Sequence, residues 1–223
     1  SFTFVEPVGI STIADNLFMG TGLLSLTLPE GITSIGSYAF SSSQLETISL
    51  PSTLTNIGSS AFNSTMSLAT ITGNLSGITH VGIDAFYGTT WLYTELMSND
   101  LAILDDRIVI KVNPSLSGDL VVPEMMELIA DGAFMQSQLT SVVLPPNLLS
   151  IGNLAFYDCP DLDTVDMNDA TSLLVIGEQS FYNCVSLGSM TIPSTVIDVG
   201  DDAFTLTPWL SSKTGPGVLF MIN

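Results

Sequence analysis

The string Ile-Gly-x-x-Ala-Phe recurs along this chain, and its spacing limits the fold more than any other feature. It reads Ile35-Gly36-Ser37-Tyr38-Ala39-Phe40, then Ile57 to Phe62 and Val81 to Phe86. Later copies run from Ile129 to Phe134, Ile151 to Phe156, Ile176 to Phe181 and Val199 to Phe204, and Ile13 to Phe18 is a degenerate first copy. Successive starts lie 22, 22, 24, 48, 22, 25 and 23 residues apart. The gap of 48 is two periods, so one unit inside it lacks the signature. Self-similarity at a fixed period of this length is the mark of a solenoid, in which each unit is one supersecondary element.

Each unit continues into Leu-x-x-Ile-x-Leu-Pro, as in Leu45-x-x-Ile48-x-Leu50-Pro51, Leu139-x-x-Val142-x-Leu144-Pro145 and Leu187-x-x-Met190-x-Ile192-Pro193. Alternating apolar residues in a short run closed by proline predict a strand with one buried face. Proline ends the strand because it has no N–H to donate to the ladder. The glycine after each Ile suits a tight corner where a side chain would clash or φ must be positive. A single coil cannot bury its own Leu, Ile, Ala and Phe, but stacked coils can, at about 4.8 Å per step for parallel strands. The expected architecture is a curved, right-handed, mainly β solenoid with a parallel sheet on its concave side. Roughly 12 residues per coil remain for the convex side, too few for a long helix and two corners, so short strands, turns and 3-10 segments are expected there.

These two strings together resemble the BspA-like leucine-rich repeat family, the bacterial subclass with a repeat of about 23 residues and the pattern IGxxAFxxCxxLxxIxIPxxVxx. The resemblance covers the chain from Ile13 to Leu210. Residues 1–223 therefore read as a single leucine-rich repeat domain with about eight readable repeats over 13–210. The resemblance implies a protein that is secreted or held at the cell surface and acts as an adhesin. It also implies a protein or glycan ligand on a host, the matrix or a neighbouring cell, and no catalytic role for the repeat.

A longer period is also present. Thr89-Thr90-Trp91-Leu92 and Thr207-Pro208-Trp209-Leu210 are 118 residues apart, as are Val81 and Val199. After Trp91, the runs Leu101–Leu104 and Ile108–Val112 flank Asp105-Asp106 and predict an inserted hairpin near 93–117. The segment Gly217 to Ile222 would begin its counterpart, so 211–223 reads as a truncated insertion. A chain that stops inside a unit is expected to continue in the native protein. Phe2-Thr3-Phe4-Val5 likewise lacks the polar character of a solenoid cap.

Composition narrows the partners. The 22 Asp and Glu against 3 Lys and Arg give a formal charge of −19. Arg107, Lys111 and Lys213 cannot neutralise a phosphate backbone or an anionic bilayer, which excludes nucleic acid and acidic membrane surfaces as partners. The acid keeps an elongated apolar protein in solution, and basic proteins or divalent cations are the complementary ligands. No apolar run reaches 18 residues, so no membrane span is expected in this chain.

Catalytic constellations are scarce. His80 is the one histidine, and it has no Cys or carboxylate at ligand spacing. No phosphate-cradling loop or nucleophile elbow occurs, so no enzyme activity and no cofactor are expected; a site hidden between Trp91 and Lys111 is the residual enzyme reading. Cys159 and Cys184 each fall eight positions after their unit's Ile and should stack in adjacent coils as a buried, reduced ladder. The run Asp158, Asp161, Asp163, Asp166 and Asp169 could offer oxygens to Ca²⁺, but without the Asp-x-Asp-x-Asp-Gly loop a solvated face is the better reading, and no metal is expected.

The concave strand carries the candidate binding site. The third and fifth residues of Leu-x-x-Ile-x-Leu point away from the core. They are Ser25 and Thr27, Thr47 and Ser49, Thr70 and Thr72, then Ser141 and Val143, Thr164 and Asp166, Ser189 and Thr191. β-branched Thr suits an exposed strand in any case. Two columns of small hydroxyls nevertheless suit a broad ligand such as an extended protein or polysaccharide. Non-catalytic adhesion is the leading reading. A rigid spacer carrying another domain is the alternative, and ice or polysaccharide binding through the hydroxyl ladder is a minor one.

Overall fold

The computed structural model describes residues 9–213. The run at Phe2–Val5 and the expected strand at Gly217–Ile222 lie outside the described residues, as does all but the start of the insertion expected over 211–223. The chain forms a leucine-rich repeat β-solenoid whose coils fall into two compact units, Ser1–Asn99 and Asp100–Asn223.

In the first unit each Ile of the Ile-Gly signature ends a two-residue strand. These are β1 (Thr12–Ile13), β3 (Ser34–Ile35), β5 (Asn56–Ile57) and β7 (His80–Val81). Between them the Leu-x-x-Ile runs form β2 (Ser25–Thr27), β4 (Thr47–Leu50) and β6 (Thr70–Gly73). Two parallel sheets result, ordered β1-β3-β5-β7 and β2-β4-β6. The side expected to mix short strands, turns and 3-10 segments is built from the two-residue strands and tight turns. Helix α1 (Thr90–Ser98) closes the unit.

The second unit opens with an antiparallel hairpin, β8 (Leu101–Leu104) and β9 (Ile108–Val112). Asp105 and Asp106 both have positive φ, 55° and 54°, and the Arg107 N–H bonds the Leu104 carbonyl at 3.3 Å. Two left-handed residues in a row match the right-handed twist of the flanking strands. The unit continues through β10 (Ser117–Val121), β11 (Leu128–Ile129), β12 (Gln138–Val143), β13 (Ser150–Ile151), β14 (Thr164–Asp166), β15 (Val175–Ile176), β16 (Ser189–Met190) and β17 (Asp198–Val199), and α2 (Pro208–Ser211) is the last element among the described residues. Its two sheets are ordered β17-β15-β13-β11-β9-β8 and β10-β12-β14-β16.

This topology resolves the 48-residue gap. The hairpin is present where the sequence placed it, but it is not an appendage. β9 pairs in parallel with β11, and β10 with β12, so β9 and β10 together make the coil that lacks the signature. Val112 N–H bonds the Ala133 carbonyl at 2.9 Å, the role that Phe40 N–H fills toward Ala61 at 2.7 Å. A straight strand thus replaces the Ala-Phe turn of that coil. Helix α1, which period-based reading did not anticipate, precedes the hairpin.

The core is a set of side-chain ladders. Phe18, Phe40, Phe62 and Phe86 stack with centroids 5.2, 5.2 and 5.3 Å apart and planes within 5°. Phe134, Phe156, Phe181 and Phe204 repeat this at 4.7, 4.9 and 5.4 Å. Each stack ends on a tryptophan turned across it, Trp91 against Phe86 at 5.1 Å and Trp209 against Phe204 at 4.9 Å. The 118-residue period therefore has a physical basis in the stack terminus. Thr89 and Thr207 hold both helices by the same pair of bonds. Their hydroxyls accept from Leu92 N–H at 3.1 Å and Leu210 N–H at 3.2 Å, and donate to the Phe86 and Phe204 carbonyls at 2.8 and 2.7 Å. A side-chain oxygen on an otherwise unpaired N–H is the N-cap that starts a helix.

The signature glycines are set by close approach, not by φ. A Cβ on Gly58 would lie 2.7 Å from Gly36 C and Ser37 N in the preceding coil. Gly36 and Gly152 would meet Ala14–Asp15 and Ala130–Asp131 at 2.4–2.9 Å. Alanine occupies the glycine position at Ala14, the first described coil, and at Ala130, which follows the coil built from β9. The clash arises where the preceding coil makes the same turn, whether glycine or alanine stands at its second position. At both starts the next residue is an aspartate whose Oδ1 accepts from the coil above, Asp15 from Ser37 N–H at 2.7 Å and Asp131 from Asn153 N–H at 2.8 Å.

Candidate functional site

Register aligns the outward hydroxyls within each unit. Ser25 pairs with Thr47 and Thr47 with Thr70, while Thr27 pairs with Ser49 and Ser49 with Thr72. In the second unit Ser141 pairs with Thr164 and Thr164 with Ser189, and Val143 faces Asp166. Thr191 follows β16 and lies exposed beyond it. Neighbours in a column are about 4.8 Å apart, and the two columns are about 7 Å apart along the strands. All eleven of the hydroxyl and aspartate residues named from the sequence are exposed or half-buried, and their inward neighbours Leu26, Ile48, Val142 and Val165 are buried.

Few of these hydroxyls are occupied. Thr72 donates a long bond, 3.4 Å, to the Ile48 carbonyl, and Ser141 donates to Asp119 Oδ1 at 2.7 Å. Among the described residues, Ser25, Thr27, Thr47, Ser49, Thr70, Thr164, Ser189 and Thr191 make no side-chain hydrogen bond within the protein. Their donors and acceptors face outward.

Asp119 is a face residue that the sequence pattern missed. It sits on β10 opposite Ser141, with Val121 opposite Val143, so both belong to the outward columns. A register shift between Gly118 and Asp119 displaces the run from Leu-x-x-Ile-x-Leu spacing. The surviving signal is Leu120-Val121-Val122-Pro123, which keeps only the closing half of the motif. Bonds from Ser141 Oγ at 2.7 Å and Thr140 Oγ1 at 3.0 Å hold the Asp119 carboxyl below the ordinary aspartate range. These bonds add stability above the ordinary aspartate value, about 3.9, and that contribution is lost as pH falls through the lower folded value. The Asp119 carbon resonance should accordingly titrate below that ordinary value by NMR, and Ser141→Ala should raise its midpoint.

A depression of about 310 Å³ lies on the face of β14 and β16. It brings together Thr164, Asp166, Ser189 and Thr191, four of the residues expected from the sequence, with Asn168. Asp166 Oδ1 accepts from the Asn168 N–H at 2.9 Å.

The other candidates fall elsewhere. Cys159 and Cys184 are free and fully buried, and each thiol donates to the phenylalanine carbonyl of the preceding coil, Phe134 at 3.1 Å and Phe156 at 3.0 Å. The adjacent Cys159 thiol and burial push the Cys184 thiol up, which disfavours a reactive thiolate. Among the described residues no three His, Cys, Asp or Glu side chains converge to hold a metal. In the acidic run, Asp158 instead accepts from Gln136 Nε2 at 3.2 Å and Asn183 Nδ2 at 2.7 Å, forming a polar ladder across three coils. His80 lies half-buried on β7 opposite Asn56. Among the described residues no helix is long and apolar enough to cross a membrane.

The repeat seen in these ladders matches a known family. The BspA type leucine-rich repeat region, in 6 copies, matches residues 3–110 and 113–222. The chain belongs to the BspA type leucine-rich repeat family. No curated protein matches it. Among solved structures, the pneumococcal vaccine antigen PcpA is 22% identical with a TM-score of 0.48, over 90% of this chain and 58% of that one. A leucine-rich cell surface protein from Faecalibacterium prausnitzii is 27% identical with a TM-score of 0.46, over 89% of this chain and 49% of that one. The T. pallidum leucine-rich repeat protein is 24% identical with a TM-score of 0.40, over 79% of this chain and 82% of that one. The chain spans about half the length of the first two. The family and these relatives are leucine-rich repeat proteins, and none of them is described as an enzyme.

Proposed function

We propose that this BspA type chain is a non-catalytic adhesion module at a cell surface, binding a protein or glycan ligand through the outward face of its Leu-x-x-Ile strands. The observation that carries this reading is the in-register pair of hydroxyl columns in which, among the described residues, only Thr72 and Ser141 spend their hydroxyls on a bond within the protein. An exposed hydroxyl already paired internally would have to exchange one protein bond for another. Unpaired hydroxyls at fixed spacing exchange only water, so a ligand that matches the spacing gains bonds at little reorganisation. Backbone ladders hold the columns rigid, which lowers the ordering cost of binding. A rigid surface of this kind is suited to extended ligands that cross several coils.

The test is an array of matrix proteins, glycans and intact cells, followed by paired lysine substitutions on each unit. Thr47→Lys with Thr70→Lys, and Thr164→Lys with Ser189→Lys, place long charged side chains on the columns and should leave folding within about 0.5 kcal/mol, as for other exposed sites. Each pair should weaken a ligand that uses its unit by about tenfold or more, or about 1.4 kcal/mol. Retention of full binding by both variants would overturn the assignment to this face.

A further inference from the structure

We propose that the depression between β14 and β16 seats a lysine or arginine side chain of a basic protein ligand, with the Asp166 carboxylate as its counter-charge. This rests on the binding reading above and specifies the ligand chemistry of one part of that face.

Four observations support it. The depression, about 310 Å³, has room for one long side chain. Its rim combines one carboxylate with the hydroxyls of Thr164, Ser189 and Thr191, none of which bonds another protein group among the described residues. Asp166 is exposed, and only its Oδ1 is engaged, by a backbone N–H. Among the described residues, no cation bonds it. Arg107 is committed to Glu127 at 3.0 Å and Asp105 at 3.6 Å, Lys111 donates to the Gly132 carbonyl at 2.8 Å, and Lys213 lies over the Trp209 ring at 5.3 Å.

An ammonium or guanidinium group fits this set because it only donates. The free Asp166 oxygen and the three hydroxyl oxygens can all accept from it, and a charge-assisted bond is about twice as strong as a neutral one. A neutral sugar would satisfy the hydroxyls yet leave the carboxylate without a matching charge. The whole chain contributes in the same direction. A net −19 attracts a basic partner and speeds its encounter, with a strong dependence on ionic strength. Asp119, the other carboxylate in the outward columns of this unit, differs in kind, since Ser141 and Thr140 already donate to it.

Amide NMR of the intact chain separates the possibilities. Nα-acetyl-arginine amide and Nα-acetyl-lysine amide should shift the resonances of Thr164, Asp166, Ser189 and Thr191, while Nα-acetyl-glutamine amide should not. Asp166→Asn should weaken the cationic probes by about tenfold or more, whereas Asp119→Asn should leave them within about twofold. Raising NaCl from about 20 to 200 mM should weaken them further. Equal shifts from the glutamine probe or from methyl mannoside, shifts from CaCl₂ but not from the amides, an unchanged titration in Asp166→Asn, or no shift from any probe would each overturn the proposal. If the cationic probes fail while Thr47→Lys with Thr70→Lys still abolishes an array ligand, this inference falls and the binding reading stands. If the probes bind and every lysine pair leaves array ligands unaffected, the reverse holds.

Discussion

Replacing Phe156 with alanine should lower the unfolding free energy of the second unit by about 3–5 kcal/mol, the usual cost of emptying a buried phenylalanine site. Phe156 is fully buried and lies between Phe134 at 4.7 Å and Phe181 at 4.9 Å, so the substitution removes ring contacts on both faces. The cavity has little means to collapse. Its walls are rings fixed by the backbone bonds Phe156 N–H to the Ser180 carbonyl and Phe134 N–H to the Ala155 carbonyl, each 2.7 Å. Trp209 ends this stack and Trp91 ends the other, so tryptophan fluorescence can report each unit separately. In a Trp91→Phe background, the urea midpoint followed through Trp209 should fall in Phe156→Ala. A loss below about 1 kcal/mol would mean that the stack does not hold the coils together.

The second large effect concerns the smallest residue. Gly58→Ala should destabilise the first unit by about 1–3 kcal/mol or more, the range for overpacking a tight interior. Its Cβ would lie 2.7 Å from Gly36 C and Ser37 N and 2.9 Å from the Ile35 carbonyl oxygen. All three are backbone atoms, so relief requires moving one coil away from the next. That movement stretches the Gly58 N–H bond to the Ile35 carbonyl, now 2.8 Å. Ala14→Gly is the matched control, because Ala14 occupies the same motif position in the first described coil. It should cost no more than about 1 kcal/mol, through chain entropy. Circular dichroism melts of the two variants test the contrast. Equal losses would refute the close-approach explanation.

How much was legible in the sequence follows from these two residues. Phe156 announces itself, because a large apolar ring at a fixed position in every copy has to stack. Gly58 announces only that something forbids a side chain there. Local sequence left two reasons open, positive φ or close approach, and the decision came from atoms 21 to 23 residues earlier in the chain. The left-handed turn positions are mostly other residues, including Tyr38, Ser60, Asp84 and Leu154. The site shows the same division. The outward positions of six strands could be read from alternation, and their pairing then followed from the repeat of the motif. Asp119 could not, because the register shift after Gly118 breaks the spacing that the pattern relies on.

By itself the sequence determined the period, the position of the motif-bearing strands, the inward ladders and the repeat family. A repeated local pattern suffices for these, since every coil faces a copy of itself. The tertiary structure decided what depends on unlike neighbours. It made the hairpin strand β9 a member of the stack although its own sequence carries no Ile-Gly signature. It turned Trp91 and Trp209 into the ends of the phenylalanine stacks, tied Asp119 to Ser141, and gathered Thr164, Asp166, Ser189 and Thr191 around one depression. In a solenoid, side-chain neighbours lie one coil away along the chain. Where the coils are unequal, only their stacking fixes which residues meet.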